Sequence, residues 1–383
     1  LRIVCVASSA IGHIDFGGGG FLRLANALRE VGCDVRWLSY GEQVERLKTK
    51  AGNGQAAPEI AHLALRPFFR ADEIARFETA HRRRVEAMQR FRRRLREVKP
   101  DLILFDRLLA YGGLVAEQDS TPYAAIGTPG GAWGFEEAGA AVNVHPAPGP
   151  VDAYLAYGDA LKDDLGWRNG AAGSAWLRSP YFNICFMPRT FYAGVEETAA
   201  AHVHHHGIAP APRGQRRMAV SFGNQGAHDR LWAFLRRAVD ERLAPFPIDA
   251  YAGADDQLKD QLQAAFSADD VNIHGWVDFA HHLNNVGCMA FLGGVGTIWR
   301  CLNNRIPMII IPGLIGDQLE NARRVAELGI GYRLGADDDP RQAVEACFNG
   351  PALTARIDGL RSIDAYSETL ESMSHRIRAL AAG

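Results

Sequence analysis

Neither sign of charge is in excess: 42 Lys and Arg face 44 Asp and Glu, for a formal net charge of −2. A chain that grips nucleic acid over much of its surface carries a basic surplus, so nucleic acid is not an expected partner. Cysteine is sparse and unpaired in sequence. The six cysteines (Cys5, Cys33, Cys185, Cys288, Cys301, Cys347) form no CxxC pair. That argues against a zinc site or a disulfide framework and for a reducing compartment. His204–His206 and His281–His282 lack a further ligand at metal spacing, so no metal is expected. Long apolar runs are missing too. Met308-Ile309-Ile310-Ile311 ends at Pro312, far short of the roughly 20 residues that span a bilayer. No basic segment precedes the strand-like run Ile3–Ala7. The expectation is a cytoplasmic protein without integral membrane association. No internal repeat is visible.

What is present is an alternation of short buried strands with helices. At 383 residues the chain suits two domains better than one core. In the first half, strands are predicted at Ile3–Ala7, Asp34–Ser39 and Asp101–Phe105, with a helix over Phe21–Val31. A long helix is marked by Ile74, Phe77, His81, Val85, Met88, Phe91, Leu95 and Val98, recurring every three or four residues. A second series starts near Met218, with strands at Met218–Phe222, Ile248–Ala252, Val271–Ile273, Met289–Leu292 and Met308–Ile311. Between them His204–Gly214 is rich in Pro and Gly and without periodicity, as a linker is. The expected fold is α/β, with two Rossmann-like domains of parallel sheets, residues 1–207 and 215–383. The last helix is a candidate to pack back on the first domain. Two doubly wound domains facing each other put a ligand site at the carboxyl ends of both sheets.

The most informative stretch runs from Gly275-Trp276-Val277 through Leu292-Gly293-Gly294-Val295-Gly296-Thr297 and Ile306-Pro307 to Asp317-Gln318 and Asn321-Ala322. A strand ends at Leu292, glycines permit a tight turn, and a helix starts near Thr297. Its unpaired amides and positive dipole end suit a diphosphate. Many α/β proteins use such a turn purely for packing. The ordered set, however, resembles the donor-binding signature of nucleotide-sugar glycosyltransferases of the GT-B fold, the superfamily of plant and antibiotic-modifying enzymes.

The resemblance implies roles. Trp276 would stack on the nucleobase and the Val277 backbone would read its edge. Gly293, Gly294, Gly296 and Thr297 would hold the diphosphate, and Asp317 and Gln318 would bind sugar hydroxyls. Ser221, Gly223 and Asn224 close the first strand of this domain, where the family has a similar turn near the phosphates. Read singly, Trp276 could be a core anchor and Asp317 a helix cap. The sequence departs from the family in three places. Leu292 stands where a phosphate-contacting His is usual, and Arg300 stands where a Glu grips the ribose. Asp278-Phe279 replaces Pro-Gln. Loss of the ribose clamp suits a deoxyribose donor such as a dTDP-sugar, and Arg300 could supply the charge that the missing His does not.

In the first domain Gly12-His13 follows the opening strand. The resemblance makes His13 the general base, which its near-neutral pKa suits. It makes Asp106, read as lying just past the strand Asp101–Phe105, the carboxylate that orients it. Asp15 reads as a turn residue. Gly17–Gly20, read as directly before a helix, is either a flexible turn or a second anion pocket. Phe16, Gly17, Gly18 and Trp133 are candidate acceptor contacts. The arginines between Arg82 and Arg96 read as a solvated face, with an anion-steering flank as the alternative. Aromatic residues between Gly127 and Asn183 suggest partly apolar acceptor walls.

The expected activity is inverting transfer of a sugar from a dTDP- or UDP-sugar to a hydroxyl of a small natural-product acceptor. Nucleotide sugar and acceptor are the partners, with no cofactor and no metal; a homodimer is left open. The alternatives are a transferase or epimerase of cell-wall or lipid-linked sugars, and a non-catalytic glycosyltransferase-like partner protein.

Overall fold

The computed structural model describes residues 1–7, 16–63, 77–106, 109–126, 160–167, 179, 181–185, 191, 200–202, 217–223, 228–245, 247–277, 279–313, 316–335, 338–363 and 370–382. The chain divides into two compact units. One comprises Leu1–Met187, Gly194–His205 and Ser367–Gly383; the other comprises Pro188–Ala193 and His206–Tyr366.

The first unit is built on a parallel seven-stranded sheet in the order β3-β2-β1-β4-β5-β6-β7. Its strands are β1 (Arg2–Val6), β2 (Asp34–Ser39), β3 (Gln55–Ala56), β4 (Leu102–Asp106), β5 (Tyr123–Ile126), β6 (Phe182–Cys185) and β7 (Ala200–His202). β1 and β4 are wholly or almost wholly buried, as apolar runs covered on both faces are. Helix α1 (Phe16–Glu30) covers one face; α3 (Phe77–Val98) and α4 (Ala110–Gln118) cover the other, and α2 (Gln43–Ala51) follows β2. Strand order reverses between β1 and β4, and such a reversal opens a crevice at the carboxyl ends of those strands.

Two expectations change here. Helix α1 begins at Phe16 and takes in Gly17–Gly20, which are therefore not a turn ahead of it. Each interior glycine costs about 1 kcal/mol relative to alanine, so propensity does not make this turn. It is carried by the next ones, where Phe21, Leu24, Ala25 and Leu28 are fully buried. The arginines of α3 are also more than a solvated face. Arg94 pairs with buried Glu59 at 2.5 Å, Arg92 and Arg96 share Asp119 at 2.7 and 2.9 Å, and Arg84 lies over the Tyr111 ring. Arg82, Arg83 and Arg93 remain exposed.

The second unit has a parallel six-stranded sheet in the order β10-β9-β8-β11-β12-β13. Its strands are β8 (Arg217–Ser221), β9 (Ile248–Tyr251), β10 (Val271–His274), β11 (Val286–Phe291), β12 (Met308–Ile310) and β13 (Gly331–Arg333). The helices are α5 (Asp229–Asp240), α6 (Asp256–Ala265), α7 (Phe279–His282), α8 (Val295–Asn303), α9 (Gly316–Glu327), α10 (Arg341–Asn349) and α11 (Pro351–Ile363). The order reverses between β8 and β11, which places the crevice beside Ser221 and the turn that follows Phe291. A last helix, α12 (Leu370–Ala382), belongs to the first unit.

Five cysteines (Cys5, Cys33, Cys288, Cys301, Cys347) are free and buried, and burial pushes the thiols of Cys5, Cys288 and Cys301 far above their ordinary range. Such thiols behave as small apolar side chains. Among the described residues no helix is long and apolar enough to cross a membrane, and no cluster of His, Cys, Asp or Glu could hold a metal ion.

Candidate functional site

In the first unit, Asp106 is the last residue of β4 and not one beyond it, and only 2% of it is exposed. Along β4, Ile103 and Phe105 join the core beneath α3, whereas Leu102 and Leu104 join the core beneath α1. Strand alternation puts Asp106 on the α1 face, at the reversal between β1 and β4. His13 and Trp133 lie outside the described residues, as does Asp15. Phe16, Gly17 and Gly18 form the start of α1. A histidine–carboxylate contact, His81 Nε2 to Asp164 Oδ2 at 2.5 Å, links α3 to residues 160–164.

In the second unit, the turn from β11 into α8 is set by three glycines with different duties. Gly293 has φ +102°, and a Cβ there would stand 2.9 Å from the Gln318 carbonyl oxygen and 3.0 Å from Ile310. Only glycine fits. Its carbonyl accepts a hydrogen bond from buried Asn321 Nδ2 at 2.9 Å, which pins the turn to α9. Gly294 caps α8 with extended backbone, and Gly296 follows in its first turn; at neither would a Cβ meet any described residue within 4 Å. The helix therefore starts at Val295, two residues before Thr297. The Thr297 and Ile298 amides already donate to the Gly294 carbonyl at 3.0 and 3.1 Å. Among the described residues no backbone acceptor engages the amides of Val295 and Gly296, the donors left to an anion.

The less buried side of α8 is Gly296, Thr297 and Arg300, each half-buried; Val295, Ile298, Trp299, Cys301 and Leu302 are buried. Gly296 and Arg300 are four residues apart and share a helix face. Leu292, where the signature has a histidine, is 4% exposed and packs with Val220, Ile309 and Leu334. That position serves the core here. Ser221 ends β8 and is buried, and Gly223 follows with φ +69°; Asn224 lies outside the described residues. Gln318 is buried and its Oε1 accepts from the Gly313 amide at 3.1 Å, so that oxygen shapes the β12–α9 turn. Asp317 lies in the first turn of α9. Trp276, just past β10, is 54% exposed, which removes the core-anchor reading; Val277 is half-buried.

Sequence reasoning did not connect the side chains around Phe279. Arg300 lies over the Phe279 ring, with Cζ 5.3 Å from its centroid. Tyr251 meets Phe279 edge-on at 5.0 Å and stacks on His274 at 4.9 Å. His274 Nε2 is 3.2 Å from Asp249 Oδ1, which also accepts from Asn272 at 3.0 Å. Burial alone would raise the Asp249 pKa. The hydrogen bonds from His274 and Asn272 and the charges of His274 and Arg217 more than offset it, holding the carboxyl below its ordinary value. The strand-end positions of Tyr251 and His274 were the available signal. His228, one residue before α5, was also missed. Its ring is edge-on to Phe222 at 5.7 Å, and its buried Nε2 has no hydrogen-bond partner among the described residues.

No protein-family model and no curated protein sequence matches this chain. Solved structures match it over essentially its whole length. The glycosyltransferase of kitacinnamycin superimposes with a TM-score of 0.74 at 19% identity, covering 99% of this chain and 98% of that one. The glycosyltransferase VinC, solved in complex with dTDP, gives 0.71 at 16% identity and 100% coverage of both chains. SsfS6 from Streptomyces sp. SF2575, solved with thymidine diphosphate, gives 0.65 at 18% identity and 99% coverage of both. The chain thus has the GT-B fold that these antibiotic glycosyltransferases share.

Proposed function

We propose that the protein is an inverting, metal-independent glycosyltransferase that moves a sugar from a dTDP-linked donor, or a UDP-linked one, to a hydroxyl of a small natural-product acceptor. The observation that carries this reading is the start of α8. Two amides unengaged among the described residues, glycines in place of side chains at 294 and 296, and Arg300 on the same helix face together suit a diphosphate. The full-length likeness to enzymes crystallised with thymidine diphosphate supports the choice of nucleotide. Trp276, exposed at the end of β10, offers a ring face to the base. On this reading Asp317 and Gln318 contribute to the sugar pocket, and Ser221, Gly223 and Asn224 serve the phosphate side. Phe16, Gly17, Gly18 and Trp133 serve the acceptor on the same reading.

In the reaction, His13 takes the acceptor's hydroxyl proton as that oxygen bonds to the anomeric carbon. The bond from that carbon to the diphosphate breaks on the opposite face, and its electron pair leaves with the nucleotide. Asp106 orients His13 and stabilises the imidazolium. The α8 amides and Arg300 stabilise the charge that develops on the leaving diphosphate, as fixed donors do best. A thermal-shift series with dTDP, UDP and GDP tests the reading. Stabilisation by dTDP should grow with its concentration; a melting temperature that none of the three moves would sink it.

A further inference from the structure

Two of the three departures from the donor signature, Phe279 and Arg300, touch each other. They come from different elements, α7 and α8, and the Arg300 guanidinium carbon stands 5.3 Å from the Phe279 ring centroid. That lies within the range where a cation is attracted to an aromatic face. An arginine side chain has many rotamers, and fixing it in one costs entropy. A ring beneath the guanidinium selects among those rotamers before any ligand arrives.

The ring is itself held. Tyr251 meets it at 5.0 Å with planes 76° apart, and Tyr251 is fixed in turn by its stack on His274 at 4.9 Å and 19°. His274 is tied to Asp249, and His282 closes the group at 5.7 Å from His274 and 6.2 Å from Tyr251. Tyr251 is almost fully buried and ends β9, so the stack is anchored in the sheet.

Arg300 also shares a helix face with the start of α8. It lies four residues, or about 6 Å of helix rise, beyond Gly296 on the same face. Helical side chains lean toward the N-terminus, so the Arg300 side chain leans toward the unengaged amides of Val295 and Gly296. Gly296 presents no side chain between them, and a Cβ there would meet no described residue within 4 Å.

We propose that Phe279 is a positioning residue for the nucleotide site: its ring holds the Arg300 guanidinium in register with the α8 amides, where the diphosphate of the donor binds. This rests on the glycosyltransferase reading above. Phe279 acts through Arg300 and recognises no part of the nucleoside.

The test is calorimetric titration of dTDP and of thymidine into wild type, Phe279→Leu, Phe279→Trp, Arg300→Ala and the Phe279→Leu/Arg300→Ala double variant. Phe279→Leu should weaken dTDP by about two- to thirtyfold, the range of a cation–ring contact. Thymidine should bind as it does to wild type. Phe279→Trp should keep dTDP within about threefold of wild type, since tryptophan is the best ring for a cation. Once Arg300 is alanine, Phe279→Leu should cost dTDP nothing further, because the pair acts as one. Equal losses of dTDP and thymidine, or additive losses in the double variant, would overturn the positioning role. So would a Phe279→Leu protein that binds dTDP as wild type does, with the glycosyltransferase reading left standing. A folded wild type that binds no nucleoside diphosphate would overturn both.

Discussion

At Gly293 the backbone takes φ +102°, and a methyl group there would press on the Gln318 carbonyl and on Ile310. Gly293→Ala combines left-handed strain with overpacking and should destabilise the protein by about 2–4 kcal/mol. Gly294 lacks both problems, with φ −62° and no described residue within 4 Å of where a Cβ would stand. Gly294→Ala should therefore melt close to wild type and yet weaken dTDP, because its methyl projects into the space proposed for phosphate. Thermal melts followed by titration separate the two; a Gly293→Ala protein as stable as wild type would contradict the turn geometry. On the acceptor side, His13→Ala should lower turnover by roughly 10²–10⁴-fold with dTDP binding retained, as for loss of a general base. Asp106→Asn should also be slower, and near-normal turnover of His13→Ala would remove that residue from the mechanism. The glycines and Arg300 stood out in the sequence because they lie in one ordered string. Phe279 was visible only as a broken motif, since its contact with Arg300 depends on how α7 and α8 meet, which spacing does not encode.

Elements were legible where burial and periodicity agreed. β2 occupies Asp34–Ser39 as predicted, because Val35 and Trp37 alternate with polar neighbours and Gly32 and Gly41 bracket the strand. The start of α1 was misplaced because local composition and tertiary packing disagree there: four glycines read as a turn, while buried Phe21 and Leu24 draw them into a helix. The ion pairs of α3 were illegible for a similar reason, since Glu59 and Asp119 are far from it in sequence. Asp249 and His274 show the same non-local pairing between β9 and β10. The folded Asp249 carboxyl sits below its ordinary 3.8. Its contribution to stability is thus present above that value and lost as pH falls through the lower folded one. Asp249→Asn should melt below wild type at pH 7, and the gap should close as the pH drops below about 4. A gap that stays constant across that range would mean the carboxyl charge is not what matters.

At the scale of the whole molecule, the last helix serves the first unit although the segment before it, His206–Tyr366, belongs to the second. Met373 and Ile377 of α12 are fully buried in the core that holds Phe21, Leu28 and Trp37. Arg378 donates to the Val31 carbonyl at 2.9 Å, just past α1, and Arg376 lies over the Phe182 ring of β6. The sequence marks the last helix as a candidate to pack back on the first domain; which residues it covers there is set by the apolar faces of α1 and β2, more than 300 residues earlier. The dependence is testable. Ile377→Ala removes buried methyl groups at a fully enclosed site and should cost about 2–5 kcal/mol. The loss should fall on one unit. Native-state hydrogen exchange should show reduced protection in α1, β1 and β2, with β8, β11 and β12 unchanged, because those strands share no core residue with α12. Titration of dTDP into the same variant should return wild-type affinity, since every residue assigned to the nucleotide lies in the second unit. Protection lost evenly across both sheets would show instead that the two units unfold as one, and the terminal helix would then stabilise the nucleotide site as much as the core it covers.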